Sequence, residues 1–387
     1  MEGFLRKIYD GFDISNDIEP TAWREVLRIM NSGAVQGLSE SMSPPTHEEG
    51  FLRSIRHSNE VFSVFKTHAM GTKMAERLIG EDGKLRSFEE WRKAVAPIAR
   101  HQVGSWLRTE YDTAVIRAHQ AADWLEFEAN KDIFPNLQWM PTTSVSPESS
   151  HQVFWSKPVI LPVDDPFWQE HRPGDRWNCK CSLDATDADV QRLDPQERKE
   201  AAKPEHQAQR GLEGNPAYKG LITDKHPYYP ESCAKCPFYS SKGIKGWVRK
   251  HLSNRVKDCH NCPHVDLKIF QAKLSEQYPL DRWEHTFISD SGGYVVTERL
   301  RIKEGKVNST ERKKFIKELE TAKVMAKHGF AIVYLGESGR TQGKTYDILL
   351  NGISCEIKCF SGKQGGAIEE QLKYAFSSQG AKMLLCA

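Results

Sequence analysis

The sequence predicts a multidomain protein built from three regions. Residues 1–190 are expected to form a mainly α-helical domain with a small β-rich part, residues 191–286 a linker with a cysteine-based zinc site, and residues 287–387 an α/β domain. Three observations carry this prediction: helical apolar periodicity through the first 130 residues, two CxxC pairs in the middle, and alternating helix and strand patterns near the end. A length of 387 residues allows two or three domains.

The first region shows amphipathic helical periods. They cover residues 22–30, 60–78 and 88–117, and glycines and a Ser/Pro-rich break near residues 41–46 separate them. No arrangement of side chains suited to catalysis accompanies these periods. The pattern therefore predicts helices packed on helices.

The middle region contains two CxxC pairs, Cys233/Cys236 and Cys259/Cys262, separated by 22 residues. Four thiolates with this spacing suit tetrahedral Zn²⁺. The alternatives are a pair of reduced-thiol turns, or a site in which His260 or His264 replaces a cysteine. Basic residues surround a tryptophan between the two pairs and predict a surface that faces nucleic acid: Lys242, Lys245, Trp247, Arg249, Lys250, Arg255 and Lys257.

The last region predicts the order helix, strand, strand, strand, helix, strand. The first helix, residues 310–328, carries an apolar stripe that stops before Gly329, a natural helix C-cap. A buried strand at residues 330–335 follows it. Asn351-Gly352 is the strongest two-residue hairpin signal and predicts the turn between the next two strands. A helix at residues 367–375 and a strand at residues 381–386 complete the domain.

The predicted hairpin brings charged residues together. Asp347 heads its first strand, and Glu356 and Lys358, two residues apart, project from one face of the second. Burying two carboxylates and an ammonium is costly without a compensating ion or substrate. A divalent Mg²⁺ or Mn²⁺ ion held by Asp347 and Glu356 would offset that cost. The alternative is a surface hairpin with an incidental salt bridge.

The D-x8-E-x-K pattern resembles the PD-(D/E)XK nuclease superfamily, and more narrowly the tRNase toxin domains of contact-dependent inhibition proteins. The resemblance implies a restriction-endonuclease-like fold and a metal-dependent nuclease, with tRNA rather than DNA favoured as substrate. It also implies an extra acid on the preceding helix, best matched by Glu320 and second by Glu318, and a glutamine, here Gln371. Tyr346 replaces the usual proline. The implied catalytic residues are Glu320, Asp347, Glu356, Lys358 and Gln371.

A second resemblance covers residues 1–190 and is clearest at 105–185. The residues that carry it are Arg108-Thr109-Glu110, Trp139, His151, Leu161-Pro162, Asp165, Phe167-Trp168, Pro173 and Cys179-Lys180-Cys181. In order and spacing they are similar to the Mu F-like minor head proteins of tailed phages. This resemblance implies a minor capsid protein inside the virion near the portal, with portal and head proteins as partners. The host cytoplasm is its place during assembly and after delivery.

His151, Cys179 and Cys181 admit two interpretations. A CxC motif with a distant histidine is able to bind zinc. We favour the alternative, in which the three residues pack and hydrogen-bond in a small β-rich core beside several tryptophans.

Composition narrows the function classes. No run of 18 apolar residues exists, so no membrane span is expected, and the N-terminus lacks the pattern of a signal peptide. We therefore expect synthesis and residence in a cytosol. The nine cysteines, mostly in metal-like spacings, favour metal over disulfides there. Acidic side chains outnumber basic ones in residues 1–190 and the reverse holds in 191–387, so the second half suits a polyanion.

Three functions remain open at this level. The first is a phage head protein fused to a metal-dependent nuclease, which either enters the host with the DNA or serves as a polymorphic toxin of a prophage with an immunity protein as a candidate partner. The second is a purely structural head protein whose last domain binds nucleic acid without cutting. The third is a metal-independent RNase of the Barnase–EndoU–colicin–RelE class. That class depends on histidine, lysine or arginine, and His328 is the only histidine after residue 285.

Overall fold

The computed structural model describes residues 1–41, 49–144, 149–239, 255–289, 291–306, 308–336, 346–358, 365–377 and 381–386. Within these ranges the side chains at positions 149, 358, 365–368, 371, 372 and 384–386 are outside the description. The chain forms two compact units, residues 1–269 and 270–387.

The first unit is mainly helical. Its helices are α1 Glu2–Tyr9, α2 Pro20–Glu40, α3 Glu49–Ala75, α4 Phe88–Ala99, α5 Trp106–Ala129, α6 Gln152–Trp155, α7 Phe167–Glu170, α8 Pro195–Ala201 and α9 Pro216–Lys219. A π-helical segment, Arg100–Ser105, joins α4 to α5 three residues after Pro97, which sits inside α4 and interrupts its hydrogen-bond ladder. The predicted helices of the first 130 residues are therefore present.

Close packing of α2 against α5 depends on glycine. A Cβ atom at Gly37 would lie 2.1 Å from the backbone oxygen of Val115, so only a residue without a side chain fits. Beneath this pair, Lys66 of α3 is fully buried and contacts Glu110 of α5 at 2.7 Å. Tyr228 donates a hydrogen bond to the same carboxylate at 3.0 Å. The first unit thus has a polar core whose charges compensate each other.

A small antiparallel sheet completes the first unit. Its strands are β1 Asn136–Met140, β2 Ile160–Pro162 and β3 Ser182–Thr186, in the order β2-β1-β3. Trp139 of β1 stacks on Phe154 with ring centroids 4.7 Å apart and on Trp168 at 6.3 Å. These three side chains are at most 1% exposed, so an aromatic core forms beside the sheet.

The second unit contains a six-stranded mixed sheet in the order β4-β5-β6-β7-β8-β9. The strands are β4 Trp283–Ile288, β5 Tyr294–Glu298, β6 Ala331–Tyr334, β7 Ile348–Leu350, β8 Ile353–Lys358 and β9 Met383–Cys386. The helices are α10 Pro263–Gln277, in which the unit boundary falls, α11 Arg299–Glu304, α12 Ser309–Lys327 and α13 Gly365–Ser377. From α12 onward the observed order is the predicted helix, strand, strand, strand, helix, strand.

Helix α12 lies against the sheet through its apolar stripe. Phe315, Ala322 and Ala326 are buried and pack with strand residues such as Ile348 and Cys355. Asn308 caps the N-terminus of the helix by accepting hydrogen bonds from two backbone N–H groups. Gly329 follows its C-terminus in the left-handed conformation, with φ +88°, as the sequence predicted.

The sequence predicted domain boundaries after residues 190 and 286, and the two compact units divide after residue 269. Residues 191–269 belong to the same compact unit as residues 1–190. The predicted boundary after residue 286 falls inside β4, whose Trp283 is buried with Leu274 and Val296 in one core of the second unit. The second unit therefore contains the C-terminal part of α10 and the strands β4 and β5 in addition to the predicted elements. Among the described residues no helix is long and apolar enough to cross a membrane.

Candidate functional site

The β7–β8 hairpin brings Asp347 and Glu356 together. Asn351 and Gly352 form its turn with positive φ angles of 48° and 81°, which is why Asn-Gly is favoured there. The register pairs Ile348 with Cys355, so the residues one step further out, Asp347 and Glu356, lie opposite each other. The backbone N–H of Asp347 donates to Glu356 Oε2 at 3.2 Å. The hairpin geometry predicted for these two carboxylates is present.

Both carboxylates are buried at this end of the hairpin, Asp347 being 8% and Glu356 2% exposed. The surface-hairpin interpretation required exposed side chains. A cross-strand salt bridge on solvated residues does not describe this arrangement, because two acids have left water next to each other.

A third buried acid comes from α12, and it is Glu318. Its side chain is fully buried. Burial raises the pKa of Glu318 to about 7, and the negative charge of Asp347 adds to the increase. Arg301 and Lys314 act in the opposite direction, and Glu356 raises the pKa further. Glu318 is therefore within electrostatic reach of both hairpin carboxylates.

Glu320, the acid preferred at the sequence level, faces away from this cluster. Its side chain is 64% exposed and accepts a hydrogen bond from Lys323 at 2.8 Å. Helical geometry explains the difference. Glu318 is three residues after Phe315 and four before Ala322, so it shares the buried stripe, whereas Glu320 lies on another face. The acid ranked second in the sequence is the one that the fold turns inward.

Arg301 of α11 was missed by sequence reasoning. Its Nη2 donates to Glu318 Oε2 at 3.1 Å, and its guanidinium lies 5.1 Å from the ring centroid of Phe315. Arg301 lies among other basic residues and belongs to no recognisable sequence motif, so only the tertiary structure shows that it contacts Glu318.

Two of the predicted catalytic residues, Lys358 and Gln371, are described only by their backbone. Lys358 ends β8 and Gln371 lies in α13, but both side chains are outside the described residues. Their catalytic roles stay predictions. His328, on which a metal-independent RNase would depend, is exposed just after α12.

The acids suit a hydrated divalent ion better than a tight cage. Glu318 Oε1 makes no hydrogen bond within the described part of the chain, and Lys314 Nζ is 3.8 Å away. Glu318, Asp347 and Glu356 are not among the groups of described residues whose ligand atoms all lie within 4.8 Å of one another. Mg²⁺ keeps several waters and is commonly held by one or two carboxylates. Asp347 and Glu356 are the residues that would hold such an ion, with the Glu318 carboxyl near both of them.

The CxxC pairs form a second candidate metal site. Each of Cys236 and Cys259 lies close enough to cysteines of the other pair to have its thiol pKa raised by them. Burial is the largest cause for both thiols. The two pairs are therefore neighbours, as a shared ion requires.

Cys262 and Cys233 are the other two predicted ligands. Cys262 is buried and helps to raise the pKa of the thiols of both Cys236 and Cys259, whereas Cys233 does so for Cys236. The sulfur of Cys262 also accepts a long hydrogen bond, 3.9 Å, from Nη2 of Arg255.

The four cysteines are neighbours but do not form a compact tetrahedral set. Neither Cys262 nor its three predicted partners belong to a described group whose ligand atoms all lie within 4.8 Å of one another, although sulfurs around one zinc ion are about 3.8 Å apart. This departs from the sequence expectation of four clustered sulfurs. Protonated thiols do not attract one another strongly enough to hold that spacing, so an ion would have to draw them closer. Zinc at Cys233, Cys236, Cys259 and Cys262 stays a prediction.

Backbone amides favour a thiolate at Cys236. The N–H groups of Phe238 and Tyr239, two and three residues later, donate to its sulfur and oppose the increase in its pKa. Donors at these positions stabilise a sulfur that carries negative charge, which is its state as a metal ligand. His264 packs its ring against Tyr239 at 4.7 Å. Of the predicted basic surface, Lys242, Lys245, Trp247, Arg249 and Lys250 lie outside the described residues.

Comparison with known proteins gives one curated relative with a significant match. The chain is 30% identical over 120 residues to the Mu-like prophage FluMu F protein of Haemophilus influenzae. The aligned segment covers 30% of this chain and 28% of that protein, so the chain spans little more than a quarter of the length of this relative. No family model matches the chain, and no solved structure matches it significantly. The similarity supports the Mu F-like resemblance of the sequence and does not extend to a nuclease.

Proposed function

We propose that this chain is a Mu F-like phage head-morphogenesis protein that carries a metal-dependent nuclease in residues 270–387. The head role is supported by the similarity to the FluMu F protein. The nuclease is supported above all by the buried convergence of Asp347 and Glu356 with Glu318 beside them. In this proposal the protein resides in the virion near the portal, contacts portal and head proteins, and reaches the host cytoplasm during delivery.

Asp347 and Glu356 would hold Mg²⁺ or Mn²⁺. A bound divalent ion supplies charge neutralisation at a phosphate and lowers the pKa of a bound water. Glu318 is suited to exchange a proton near neutral pH, because burial and Asp347 raise its pKa to about 7. Lys358 would orient the attacking water and stabilise charge on the phosphate, and Gln371 would contact the substrate.

RNA, and tRNA in particular, is the proposed substrate. This choice rests on the resemblance of the Asp347-x8-Glu356-x-Lys358 hairpin to tRNase toxin domains. An immunity protein that blocks the site is then expected in the producing cell. The excess of basic over acidic side chains in residues 191–387 suits a polyanion. Affinity for nucleic acid should therefore fall steeply with salt, with the basic half responsible.

The decisive experiment incubates the full chain with total tRNA and with plasmid DNA, each with Mg²⁺, Mn²⁺ or EDTA. We expect cleavage of tRNA that EDTA abolishes. Asp347→Asn and Glu356→Gln should each lower cleavage by a large factor, on the order of a hundredfold, because each deletes a metal-holding charge while preserving shape. Glu320→Gln is the matched control and should cut like the wild type, since its carboxylate is exposed and paired with Lys323.

Other results would redirect the proposal. Cleavage that survives EDTA favours a metal-independent RNase, and no cleavage with retained nucleic-acid binding favours the structural alternative. Zn²⁺ at the four cysteines is tested separately, by the zinc content of the full chain, of Cys233→Ser and of Cys262→Ser. The head role is tested by sedimenting phage particles and probing them for this chain. Absence from purified particles would contradict it.

A further inference from the structure

A buried cluster in the first unit resembles a metal site more than a packed core. His151 Nδ1 lies 3.3 Å from Cys179 Sγ and 3.7 Å from Cys181 Sγ. All three ligand atoms lie within 4.8 Å of one another, and the three side chains are 0%, 1% and 4% exposed. We propose that His151, Cys179 and Cys181 bind a zinc ion through one nitrogen and two sulfurs.

The separations fit tetrahedral coordination. With Zn–S near 2.3 Å and Zn–N near 2.05 Å, a tetrahedral angle places nitrogen about 3.5 Å from each sulfur. The observed distances of 3.3 and 3.7 Å bracket this value. A packed pair of thiols does not need both sulfurs on one nitrogen, because Nδ1 has a single lone pair and accepts one S–H group well.

The histidine is oriented as a metal ligand is. On the far side of the ring, Nε2 lies 2.7 Å from Asp175 Oδ1, and Asp175 is itself 1% exposed. A carboxylate on the distal nitrogen fixes the tautomer and directs the other nitrogen at the metal. Trp139 contacts the ring edge-on with centroids 5.2 Å apart, which restricts its rotation.

The backbone also presents both sulfurs to the same point. Cys179 and Cys181 are buried while Lys180 between them is exposed, so the extended segment turns alternate side chains inward. Asn178 precedes them in the left-handed conformation, with φ 62°, and changes the direction of the chain just before Cys179. Sulfur and imidazole ligands favour Zn²⁺ over Mg²⁺ or Ca²⁺. Binding displaces the two thiol protons, and the protein supplies three of four ligands, leaving one position for a water or another donor.

The test uses the full chain loaded with cadmium, whose NMR shift depends on the number of sulfur ligands. Wild type should give a resonance from a two-sulfur, one-nitrogen site, and a separate four-sulfur resonance arises only where the CxxC pairs bind. Cys179→Ser should remove the first resonance alone, and Cys233→Ser should leave it unchanged. Absence of a two-sulfur resonance in folded wild type, or its persistence in Cys179→Ser, would overturn the proposal.

A variant of Asp175, which contacts His151 but is not a proposed zinc ligand, tests the site without removing a cysteine from the core. Asp175→Asn keeps the shape of the side chain but loses its charge, and we expect zinc affinity at this site to fall about 10- to 100-fold. The readout is a competition titration with a zinc chelator in a Cys233→Ser background, which isolates the site. Equal zinc affinity of the wild type and Asp175→Asn would contradict the role of Asp175 in orienting His151 toward the metal.

Discussion

Glu318→Gln should stabilise the metal-free second unit at pH 8 and abolish the proposed nuclease activity. The pKa of this buried carboxyl is raised from an ordinary value near 4.5 to about 7, chiefly by burial and then by Asp347. Each pKa unit corresponds to about 1.36 kcal/mol, so ionising Glu318 costs the folded state about 3 kcal/mol. Glutamine mimics the neutral acid and avoids that cost.

The sign of the pH dependence follows from the raised pKa. Below about pH 4.5 the carboxyl is neutral in both the folded and the unfolded chain, so the cost is absent. Between about pH 4.5 and 7 the unfolded chain ionises first, and the free energy of unfolding falls as pH rises. Above about pH 7 the cost is constant. The stability difference between Glu318→Gln and wild type should therefore open across this window and reach about 3 kcal/mol at pH 8.

Hydrogen exchange on the full chain measures the effect without separating the two units. Strands β5 and β6 contain the fully buried residues Val295, Val296 and Ile332. Exchange of their backbone amides therefore reports global opening of the second unit. Glu320→Gln is the control on the same helix and should change the opening free energy by less than about 0.5 kcal/mol. An identical opening free energy for Glu318→Gln and wild type at pH 5 and pH 8 would refute the reasoning.

Metal gives the same experiment a second arm. If Glu318, Asp347 and Glu356 cooperate on one hydrated cation, Mg²⁺ should protect β5 and β6 more in wild type than in Glu318→Gln. Equal protection in both proteins would show that Glu318 does not contribute to metal binding, and it would not contradict metal binding by Asp347 and Glu356.

Three further perturbations test other parts of the structure. Cys236→Ser should lower the melting temperature of the first unit in calorimetry if the CxxC pairs hold zinc; an unchanged transition would contradict zinc binding by these pairs. Glu110→Gln leaves Lys66 buried without its anion and should cost about 3–5 kcal/mol in denaturant unfolding, while adding Lys66→Met should recover much of the loss. Asn351→Ala forfeits the 2.8 Å bond to the Ala331 amide and strains a positive φ, so it should destabilise the second unit by about 1–2 kcal/mol, with Asn351→Gly losing less.

Local signals predicted much of the second unit. The Asn351-Gly352 turn, the helix stop at Gly329 and the apolar stripe of α12 each depend on neighbouring residues, so the elements from α12 onward agree with the structure. The start of this unit at residue 270 could not be predicted in the same way. Trp283 joins this unit through contacts with Leu274 and Val296, and no local pattern announces that packing.

The candidate sites divide along the same line. The pairing of Asp347 with Glu356 follows from a hairpin that separates them by nine residues, which a sequence pattern encodes directly. His151, Asp175 and Cys181 are brought together over 24 to 30 residues and several elements, so the pattern alone left both packing and metal binding open for those residues. For Cys262 the pattern identified the neighbouring cysteines, but a CxxC spacing does not encode how closely two distant pairs approach.

The choice between Glu318 and Glu320 shows where a resemblance needs physical correction. A family spacing counts residues back from a glycine and tolerates an error of two positions, but a helix does not, because two residues turn a side chain about 200° around the axis. The apolar stripe through Phe315 and Ala322 already identified the buried face, and only Glu318 lies on it. Helical phase is therefore a stronger guide than distance from a motif when an acid on a helix is assigned to a site on a sheet.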